Sequence, residues 1–350
     1  MVKKVFVGMS GGVDSSVAAA LSEERGYQVT GVYMKNWTED LPGMVCPWKQ
    51  DYQDAKRVAV QLGIPFKVYD FQKEYRHKVV EYMIEEYGAG RTPNPDIMCN
   101  QEIKFKLFLD AAVADGADLI ATGHYARTRD GQLFAGLDPD KDQSYFLCRV
   151  SEEALRRTLM PIGEYTKPEV RRLARQYGLA TAEKKDSQGI CFVGKVGIKD
   201  FLQQFVQSRP GDIIDQHGKM VGRHDGALFY TIGQRQGLGV GGGLPYYVAG
   251  KDMDKNEVFV TTDLQDARLW DDELTLTSPH WINQPPEPDQ AYAVRTRYRA
   301  ELLNISSLRC LENGNWHLLL KDEVRALTPG QSAVLYQNDR VVGSGLVTNA

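Results

Sequence analysis

The sequence has few of the features that mark membrane, secreted and metal-cluster proteins. No apolar run approaches the ~20 residues that a membrane-spanning helix needs. The first residues, Met1 to Lys4, lead directly into an apolar run rather than a signal peptide. Five cysteines, none in a Cys-x-x-Cys pair, argue against a disulfide framework, a zinc ribbon or an iron–sulfur site. We therefore expect a cytoplasmic protein without a membrane partner.

The sequence also lacks an excess of positive charge. The net charge of −4 gives no support to nucleic-acid binding and does not exclude it, because local patches matter more than totals. A length of 350 residues predicts two or three domains. Changes in sequence character place these domains at residues 1–200, 201–272 and 273–350.

The first domain is predicted to be α/β, with a doubly wound parallel sheet. Apolar strand runs at 5–7, 28–34, 66–69 and 118–124 alternate with helical patterns at 17–21, 51–62, 71–87 and 105–114. Ligands of such sheets bind at the carboxyl ends of the strands. Residues 35–50 and 88–100 are predicted to be loops, because prolines and glycines interrupt both stretches.

The rest of the chain is predicted to be mostly β. Turn signals and a glycine-rich stretch at 237–243 indicate a small central domain. Short alternating runs at 291–298, 316–320, 332–336 and 341–347 predict a C-terminal β-barrel.

One glycine- and serine-rich stretch lies where the first strand meets the first helix. Bare N–H groups at a helix start, together with the hydroxyls of Ser10, Ser15 and Ser16, predict an anion site. No lysine follows the glycines, which excludes the Gly-x-x-x-x-Gly-Lys phosphate loop. Asp14 offers a carboxylate for a hydrated Mg²⁺ on a phosphate group. The alternative is an ordinary glycine-rich turn.

Two cysteines lie in settings that suit a reactive thiol. Cys99 follows a Pro-Asn-Pro-Asp stretch at the start of a predicted helix, where the helix N-terminus lowers a thiol pKa. Cys191 follows two lysines and a glycine, which suit an exposed, activated thiol. The alternative for each is a small buried hydrophobic residue.

The stretch Gly8–Ser16 resembles the pyrophosphate loop of the N-type ATP pyrophosphatases, whose fold is adenine nucleotide alpha hydrolase-like. Further blocks across nearly the whole chain are similar to those of the bacterial tRNA-specific 2-thiouridylases. They include Thr92–Asp96, Cys99-Asn100, Ala121–Tyr125, Lys141–Leu147, Asp186–Phe192 and Thr296–Arg299.

The resemblance implies an ATP-dependent sulfurtransferase that acts on the wobble uridine of tRNA. The C2 oxygen of the uridine attacks the α-phosphate of ATP, pyrophosphate leaves, and sulfur then replaces the adenylated oxygen. A sulfur-donor protein would load Cys191 as a persulfide. Cys99 would release the sulfide or close a disulfide with Cys191. Asp96 would serve as general acid or base, although a role in capping a helix or turn is an equal alternative.

The resemblance also implies the binding residues, with ATP and Mg²⁺ as cofactors. Those for ATP are Gly8, Met9, Ser10, Gly11, Gly12, Val13, Asp14 and Ser15, with Met34 and Gly123 around the adenine and ribose. Those for the anticodon region of tRNA are Asn94, Pro95, Asp96, His124, Lys141, Asp142, Gln143, Arg297, Tyr298 and Gln331. An ordinary alternating strand is the alternative for Arg297 and Tyr298.

Two rival functions remain open from the sequence. One is another ATP pyrophosphatase similar to GMP synthetase, which would need an ammonia source that this chain does not evidently carry. The other is a non-enzymatic RNA-binding protein that uses Cys99 and Cys191 as a redox sensor. The intact loop at Ser10–Ser16 argues against a sensor, which needs no ATP site.

Overall fold

A computed structural model describes residues 2–40, 46–185, 198–241 and 243–348. The first domain contains a five-stranded parallel sheet and a separate hairpin. In chain order its strands are β1 (Lys4–Gly8), β2 (Gln28–Lys35), β3 (Phe66–Asp70), β4 (Leu119–Ala121), the hairpin β5 (Ala126–Arg129) and β6 (Gln132–Ala135), and β7 (Thr158–Leu159). The sheet order is β3-β2-β1-β4-β7. The strand order changes direction between β1 and β4, which is where such sheets bind ligands.

Helices alternate with these strands along the chain. They are α1 (Val13–Glu24), α2 (Trp48–Leu62), α3 (Gln72–Tyr75), α4 (Tyr82–Gly88), α5 (Pro95–Met98), α6 (Phe108–Ala114), α7 (Glu152–Arg156), α8 (Lys167–Gln176) and α9 (Ile198–Leu202). π-helical segments join α3 to α4 (Arg76–Glu81) and α5 to α6 (Cys99–Leu107). The small side chains Ala18 and Ala19 of α1 are fully buried, so this helix packs closely on its neighbours.

The central domain is a four-stranded sheet with one parallel pair. Its strands are β8 (Gly211–Ile214), β9 (Met220–His224), β10 (Tyr247–Asp252) and β11 (Glu257–Thr261), in the order β10-β11-β8-β9. Strands β11 and β8 are parallel, and the other two pairs are antiparallel.

The last domain is a closed six-stranded barrel. Its strands are β12 (Trp270–Trp281), β13 (Ala293–Arg295), β14 (Leu303–Cys310), β15 (Trp316–Arg325), β16 (Ser332–Gln337) and β17 (Arg340–Thr348). The barrel closes because β12 pairs with both β15 and β17. The hairpin β5–β6 of the first domain pairs with β17, so the first domain extends the barrel sheet.

The predicted fold class is confirmed, and several local predictions are wrong. A helix begins at Pro95, inside the predicted 88–100 loop, because proline at the first helical position loses no hydrogen bond. Helix α2 begins at Trp48, inside the predicted 35–50 loop. The sequence reading missed β12 and β14 and made β13 too long. The domain boundaries at 200 and 272 stay predictions.

Candidate active site

Residues 9–12 form a tight turn between β1 and α1. Gly11 has a φ of +76°, and a Cβ there would lie 2.3 Å from the carbonyl oxygen of Asp51, so only glycine fits. Gly12 is the N-cap of α1 and has no side chain with which to cap the first-turn amides. This end of a twelve-residue helix therefore meets the requirements of an anion site.

The serine of the turn and the two serines at the start of α1 make different contacts. Ser15 accepts a hydrogen bond from the N–H of Ser10 (3.2 Å) and donates to the carbonyl of Gly12 (3.2 Å). Ser16 donates to the same carbonyl at 2.8 Å. Both hydroxyls thus brace the turn and are buried, whereas Ser10 is exposed. Ser10 is therefore the hydroxyl best placed to meet a phosphate group.

A lysine far along the chain pairs with the carboxylate of this turn. The Nζ of Lys167 lies 2.7 and 2.9 Å from the two carboxylate oxygens of Asp14. The hydroxyl of Tyr125 donates to the same carboxylate at 2.8 Å. Lys167 is only 8% exposed and is the first residue of α8. The turn therefore has a cation that no Gly-Lys motif supplies.

This pairing bears on the proposed magnesium site. Asp14 was expected to hold a hydrated Mg²⁺, yet its carboxylate is bonded to an ammonium group and a phenol. Among the residues that the structure describes, no group of three His, Cys, Asp or Glu side chains could hold a metal. The Asp14 carboxylate is thus already paired within the protein, and its contact with a hydrated Mg²⁺ stays a prediction.

The remaining predicted nucleotide residues lie around the same strand ends. A Cβ at Gly8 would come within 3.0 Å of the Cε of Met34, at the end of β2. A Cβ at Gly123 would lie 2.6 Å from the backbone nitrogen of Ser15, so the chain after β4 packs on the first turn of α1. Met9 and Val13 are buried beneath the turn. The fold therefore brings all ten of these residues to the carboxyl edge of β1, β2 and β4.

The segment with the predicted thiol forms the start of a second helix. Asn94 is its N-cap and accepts from the N–H of Ile97 at 3.3 Å, and Pro95 is its first residue. Cys99 was expected at the helix start, but it lies one turn further on, and its N–H donates to the carbonyls of Pro95 and Asp96. Its side chain is 1% exposed. Cys99 therefore lies beyond the first turn, where the effect of the helix dipole is strongest.

Asp96 and His124 both have shifted pKa values because they are buried. Burial raises the pKa of Asp96, and the charge of Lys104 opposes that shift. Burial lowers the pKa of His124 well below its usual value, and Lys104 lowers it further. His124 is therefore neutral near pH 7, with Nδ1 at 2.9 Å from the hydroxyl of Thr122. A carboxyl that keeps its proton more readily suits an acid/base role.

Two of the expected tRNA contacts at 141–143 have partners within the protein. The carboxylate of Asp142 accepts from the N–H groups of Gly136 and Ser144, each at 3.0 Å, and Asp142 is 7% exposed. The side chain of Gln143 accepts from the N–H of Tyr125 at 3.0 Å. Lys141 is partly exposed. Asp142 and Gln143 thus shape this loop, and contact of the three with tRNA stays a prediction.

The barrel residues expected to meet tRNA lie at domain junctions. The guanidinium of Arg297 donates to the carbonyls of Ile232 (2.7 Å) and Ala326 (2.6 Å), and burial lowers its pKa. Gln331 donates to the carbonyl of Thr92 at 3.0 Å. The ring of Tyr298 packs against Phe146, with centroids 4.3 Å apart. These contacts give each residue a structural role, and their contact with tRNA also stays a prediction.

Sequence reasoning missed the cation next to Tyr298. Arg299 is exposed, and its guanidinium lies 5.3 Å from the Tyr298 ring centroid. Together with Arg295 and Asp140 these residues line a cleft of about 430 Å³.

Sequence reasoning also missed Lys167. The available signal was Thr166-x-x-Glu169, a capping box that places Lys167 at a helix start. The other predicted thiol, Cys191, lies outside the described residues.

Comparisons with known proteins cover the whole chain. Three family models match: "tRNA methyl transferase HUP domain" at residues 3–195, "tRNA methyl transferase PRC-barrel domain" at 199–262 and "Aminomethyltransferase beta-barrel domain" at 271–347. A solved complex, "Crystal structure of a 4-thiouridine synthetase - RNA complex with bound ATP", is 18% identical, covers 58% of this chain and 50% of its own, and has a TM-score of 0.38. In the described part of the chain, no helix has both the length and the apolar character to cross a membrane.

Three curated relatives are named tRNA-specific 2-thiouridylase MnmA. The relative from Methylobacillus flagellatus is 48% identical and covers 100% of both chains. That from Idiomarina loihiensis is 49% identical over 99% of this chain and 96% of its own. That from Bacillus subtilis is 45% identical over 98% and 94%. Because these relatives match this chain almost from end to end, their name rather than the separate domain descriptions defines the family, and the chain belongs to the tRNA-specific 2-thiouridylases.

Proposed function

We propose that this protein is an ATP-dependent sulfurtransferase that makes 2-thiouridine at the wobble position of tRNA. One observation carries the proposal: the dipeptide Gly123-His124 joins the two parts of the site. Gly123 packs on the first turn of α1, and the His124 ring lies 5.6 Å from Phe105, on the helix that also bears Asp96 and Cys99. A nucleotide on the turn and a base on this helix would therefore meet near His124.

The segment at residues 8–15, which contains the 9–12 turn and the first residues of α1, is proposed to hold the phosphates of ATP. The first-turn amides of α1 and the Ser10 hydroxyl would bind phosphate oxygens. Lys167 is close enough to the turn to offset the negative charge that develops as pyrophosphate leaves. Mg²⁺ is proposed only as the ion that accompanies ATP, held by phosphate oxygens, and no step depends on its binding to a side chain.

The first chemical step is proposed to be adenylation of the uracil. The C2 oxygen attacks the α-phosphate, a new P–O bond forms, and the bond to pyrophosphate breaks. Asn94, Pro95 and Asp96 would hold the uridine after it leaves the anticodon stack. A buried, more easily protonated Asp96 can give or take the proton at N3 of the base as the charge on C2 changes. Neutral His124 would contact the base without adding a positive charge.

The second step is proposed to be sulfur transfer. The terminal sulfur of a Cys191 persulfide attacks C2, the C2–O bond breaks, and AMP leaves with the former uracil oxygen. The sulfur–sulfur bond breaks at the same time if the Cys99 thiolate attacks the Cys191 sulfur, which gives a Cys99–Cys191 disulfide. A thiol reductant then restores both thiols. In the alternative, Cys99 first liberates sulfide from the persulfide, and the sulfide attacks C2.

The tRNA is proposed to lie across the first domain and the barrel. Lys141 and Tyr298 keep their proposed role at this surface, and the exposed Arg299 beside Tyr298 is the cation best placed to meet a phosphate group. A cytoplasmic sulfur-donor protein would supply the persulfide. Neither the amide synthetase nor the redox sensor requires both a helix that carries Cys99 and Asp96 and an adjacent turn that binds a nucleotide.

The proposal is tested by incubating the protein with ATP, Mg²⁺, a persulfide donor and an unmodified tRNA, followed by nucleoside mass spectrometry. We expect 2-thiouridine and one AMP for each thiolated base. The matched substrate is the same tRNA with cytidine at the wobble position, for which we expect neither product. An ammonia-dependent release of AMP without thiolation would instead support the rival amide synthetase.

A further inference from the structure

Thr92 lies where the three domains of the protein meet. Its N–H donates to the carbonyl of Pro329 at 2.9 Å, and its carbonyl accepts from the Gln331 side chain at 3.0 Å. Both backbone groups of Thr92 are therefore bonded to one barrel turn, which connects β15 to β16. The Thr92 hydroxyl lies 3.4 Å from that of Thr231 in the central domain. Thr92 itself is 6% exposed.

The barrel turn fits closely against this part of the first domain. Gly330 has a φ of +88°, and a Cβ there would lie 2.8 Å from the Cβ of Arg91 and 2.9 Å from the nitrogen of Thr92. The turn is also fixed from behind, because the N–H of Gly330 donates to Val347 and the N–H of Val347 donates to Gln331. The turn is thus held to the barrel on one side and to Thr92 on the other.

Arg297 ties the same turn to the central domain. Its guanidinium donates to Ile232 in the central domain, to Ala326 just before the turn, and to Thr328 at the start of the turn. Ile232 follows Thr231, whose hydroxyl faces Thr92. The contacts of Thr92, Gln331 and Arg297 therefore form one connected junction.

The junction lies immediately before the segment proposed to hold the uridine. Only Pro93, Asn94 and Pro95 separate Thr92 from Asp96, and both prolines have a fixed φ. Asn94 is further restrained as the N-cap of α5. A shift at Thr92 would therefore pass to Asp96 and Cys99 with little absorption by the intervening backbone.

We propose that Gln331 is a positioning residue, and that the barrel turn at 328–331 holds the 93–98 segment in its reactive position. The barrel then contributes to the reaction through Thr92 and not only by holding RNA. This inference rests on the proposed role of residues 94–96 at the uridine. A misplacement of about 1 Å in an active site can reduce a rate by about a hundredfold, so a single hydrogen bond at this point matters.

The test compares Gln331→Leu with Gln337→Leu, a matched change on β16. Gln337 contacts Gln290 and Arg340 within the barrel. For Gln331→Leu we expect kcat for thiolation to fall at least about tenfold, while the Kd for tRNA stays within about twofold. Hydrogen exchange at the amides of Asn94, Asp96, Ile97 and Met98 should speed up. Gln337→Leu should match wild type in all three measurements.

Gly330→Ala provides a second variant, because it disturbs the fit without removing a donor. If this variant folds, hydrogen exchange at the same amides should be faster than in wild type. If it does not fold, Gln331→Leu remains the test. A higher tRNA Kd with unchanged exchange at residues 94–98 would overturn the inference, since Gln331 would then act by touching RNA. Unchanged exchange at residues 94–98 together with an unchanged tRNA Kd would overturn it too. If wild type makes no 2-thiouridine, the proposed function fails, and the exchange comparison alone decides whether the junction orders this segment.

Discussion

Lys167 Nζ lies 2.7 and 2.9 Å from the carboxylate oxygens of Asp14, which joins the start of α8 to the nucleotide turn. The pair brings a buried cation to a turn whose own sequence has none. We expect Lys167→Met to lower the rate of tRNA-dependent pyrophosphate release by about 10²–10³-fold, because a preorganised cation is lost. The Kd for tRNA should change little, since Lys167 lies at the ATP turn.

The control for this prediction is Lys199→Met, which removes a surface lysine paired with Asp225 in the central domain. It should leave pyrophosphate release unchanged. Lys167→Arg tests whether charge alone is sufficient. Normal pyrophosphate release by Lys167→Met would show that the pair with Asp14 serves folding only.

Asp96→Asn should separate stability from activity. Burial raises the pKa of Asp96 above its usual 3.8, so ionisation costs the folded state stability as pH rises past that value. The variant should therefore have a higher free energy of unfolding than wild type at about pH 7, and the difference should vanish below about pH 3. Thiolation should fall by about 10²–10⁴-fold, because the amide cannot transfer a proton.

Denaturant unfolding across this pH range measures the first effect, and single-turnover thiolation measures the second. Asp110→Asn is the matched change at an exposed position of α6. It should alter neither quantity. If Asp96→Asn retains normal thiolation, the role of Asp96 is limited to shaping the helix start.

The two thiols should be needed for sulfur transfer and not for adenylation. Cys99→Ser and Cys191→Ser should each abolish thiolation while tRNA-dependent pyrophosphate release continues, because a hydroxyl forms neither persulfide nor disulfide. Mass spectrometry should find the donor sulfur on Cys191 in the Cys99→Ser protein. Wild type after turnover without reductant should contain a Cys99–Cys191 disulfide. Cys310→Ser, at an exposed barrel position, is the control and should behave as wild type.

A persulfide confined to Cys99, or full thiolation by either serine variant, would reverse this division of tasks. A disulfide requires that the two Cα atoms lie within about 7 Å of each other during turnover. Because Cys99 is 1% exposed, its thiol must also become accessible. A mixed-disulfide trap with a small thiol reagent would show when Cys99 becomes accessible in the cycle.

Salt dependence should distinguish the two barrel arginines. Arg299 is exposed, so Arg299→Ala should weaken tRNA binding and reduce the slope of log K against log salt by about 0.7–0.9. Arg297 is bonded to three backbone and side-chain oxygens inside the protein, so Arg297→Ala should mainly lower the free energy of unfolding. Filter binding at several salt concentrations checks the first effect, and thermal unfolding checks the second. The opposite pattern would restore Arg297 as the phosphate contact.

Local patterns were sufficient for the parallel sheet and the nucleotide turn. The run Val5-Phe6-Val7 followed by Gly8–Ser16 lies within one strand, turn and helix, where short-range preferences decide the structure. Strand β12 was missed because three polar residues follow Trp270 at its start. Its hydrogen-bonding partners lie far along the chain, at 316–325 and 343–348. Such pairing depends on distant parts of the chain.

The same limit applies to the site. The family resemblance supplied Asp96 and Arg297, and it favoured a reactive Cys99 over the alternative of a small buried residue. The pairs Lys167–Asp14 and Gln331–Thr92 join residues far apart in sequence, so only the fold reveals them. Residues chosen as RNA contacts, such as Asp142 and Gln143, have structural partners that no local pattern indicates.

Transfer of the uracil oxygen to AMP reports directly on adenylation of the base. An anticodon stem-loop with ¹⁸O at C2 of the wobble uridine would be incubated with ATP, Mg²⁺ and a persulfide donor, and the AMP analysed by mass spectrometry. We expect one ¹⁸O in AMP for each 2-thiouridine formed, because the C2 oxygen attacks the α-phosphate and departs with it. AMP without the label, alongside 2-thiouridine, would contradict adenylation of the base.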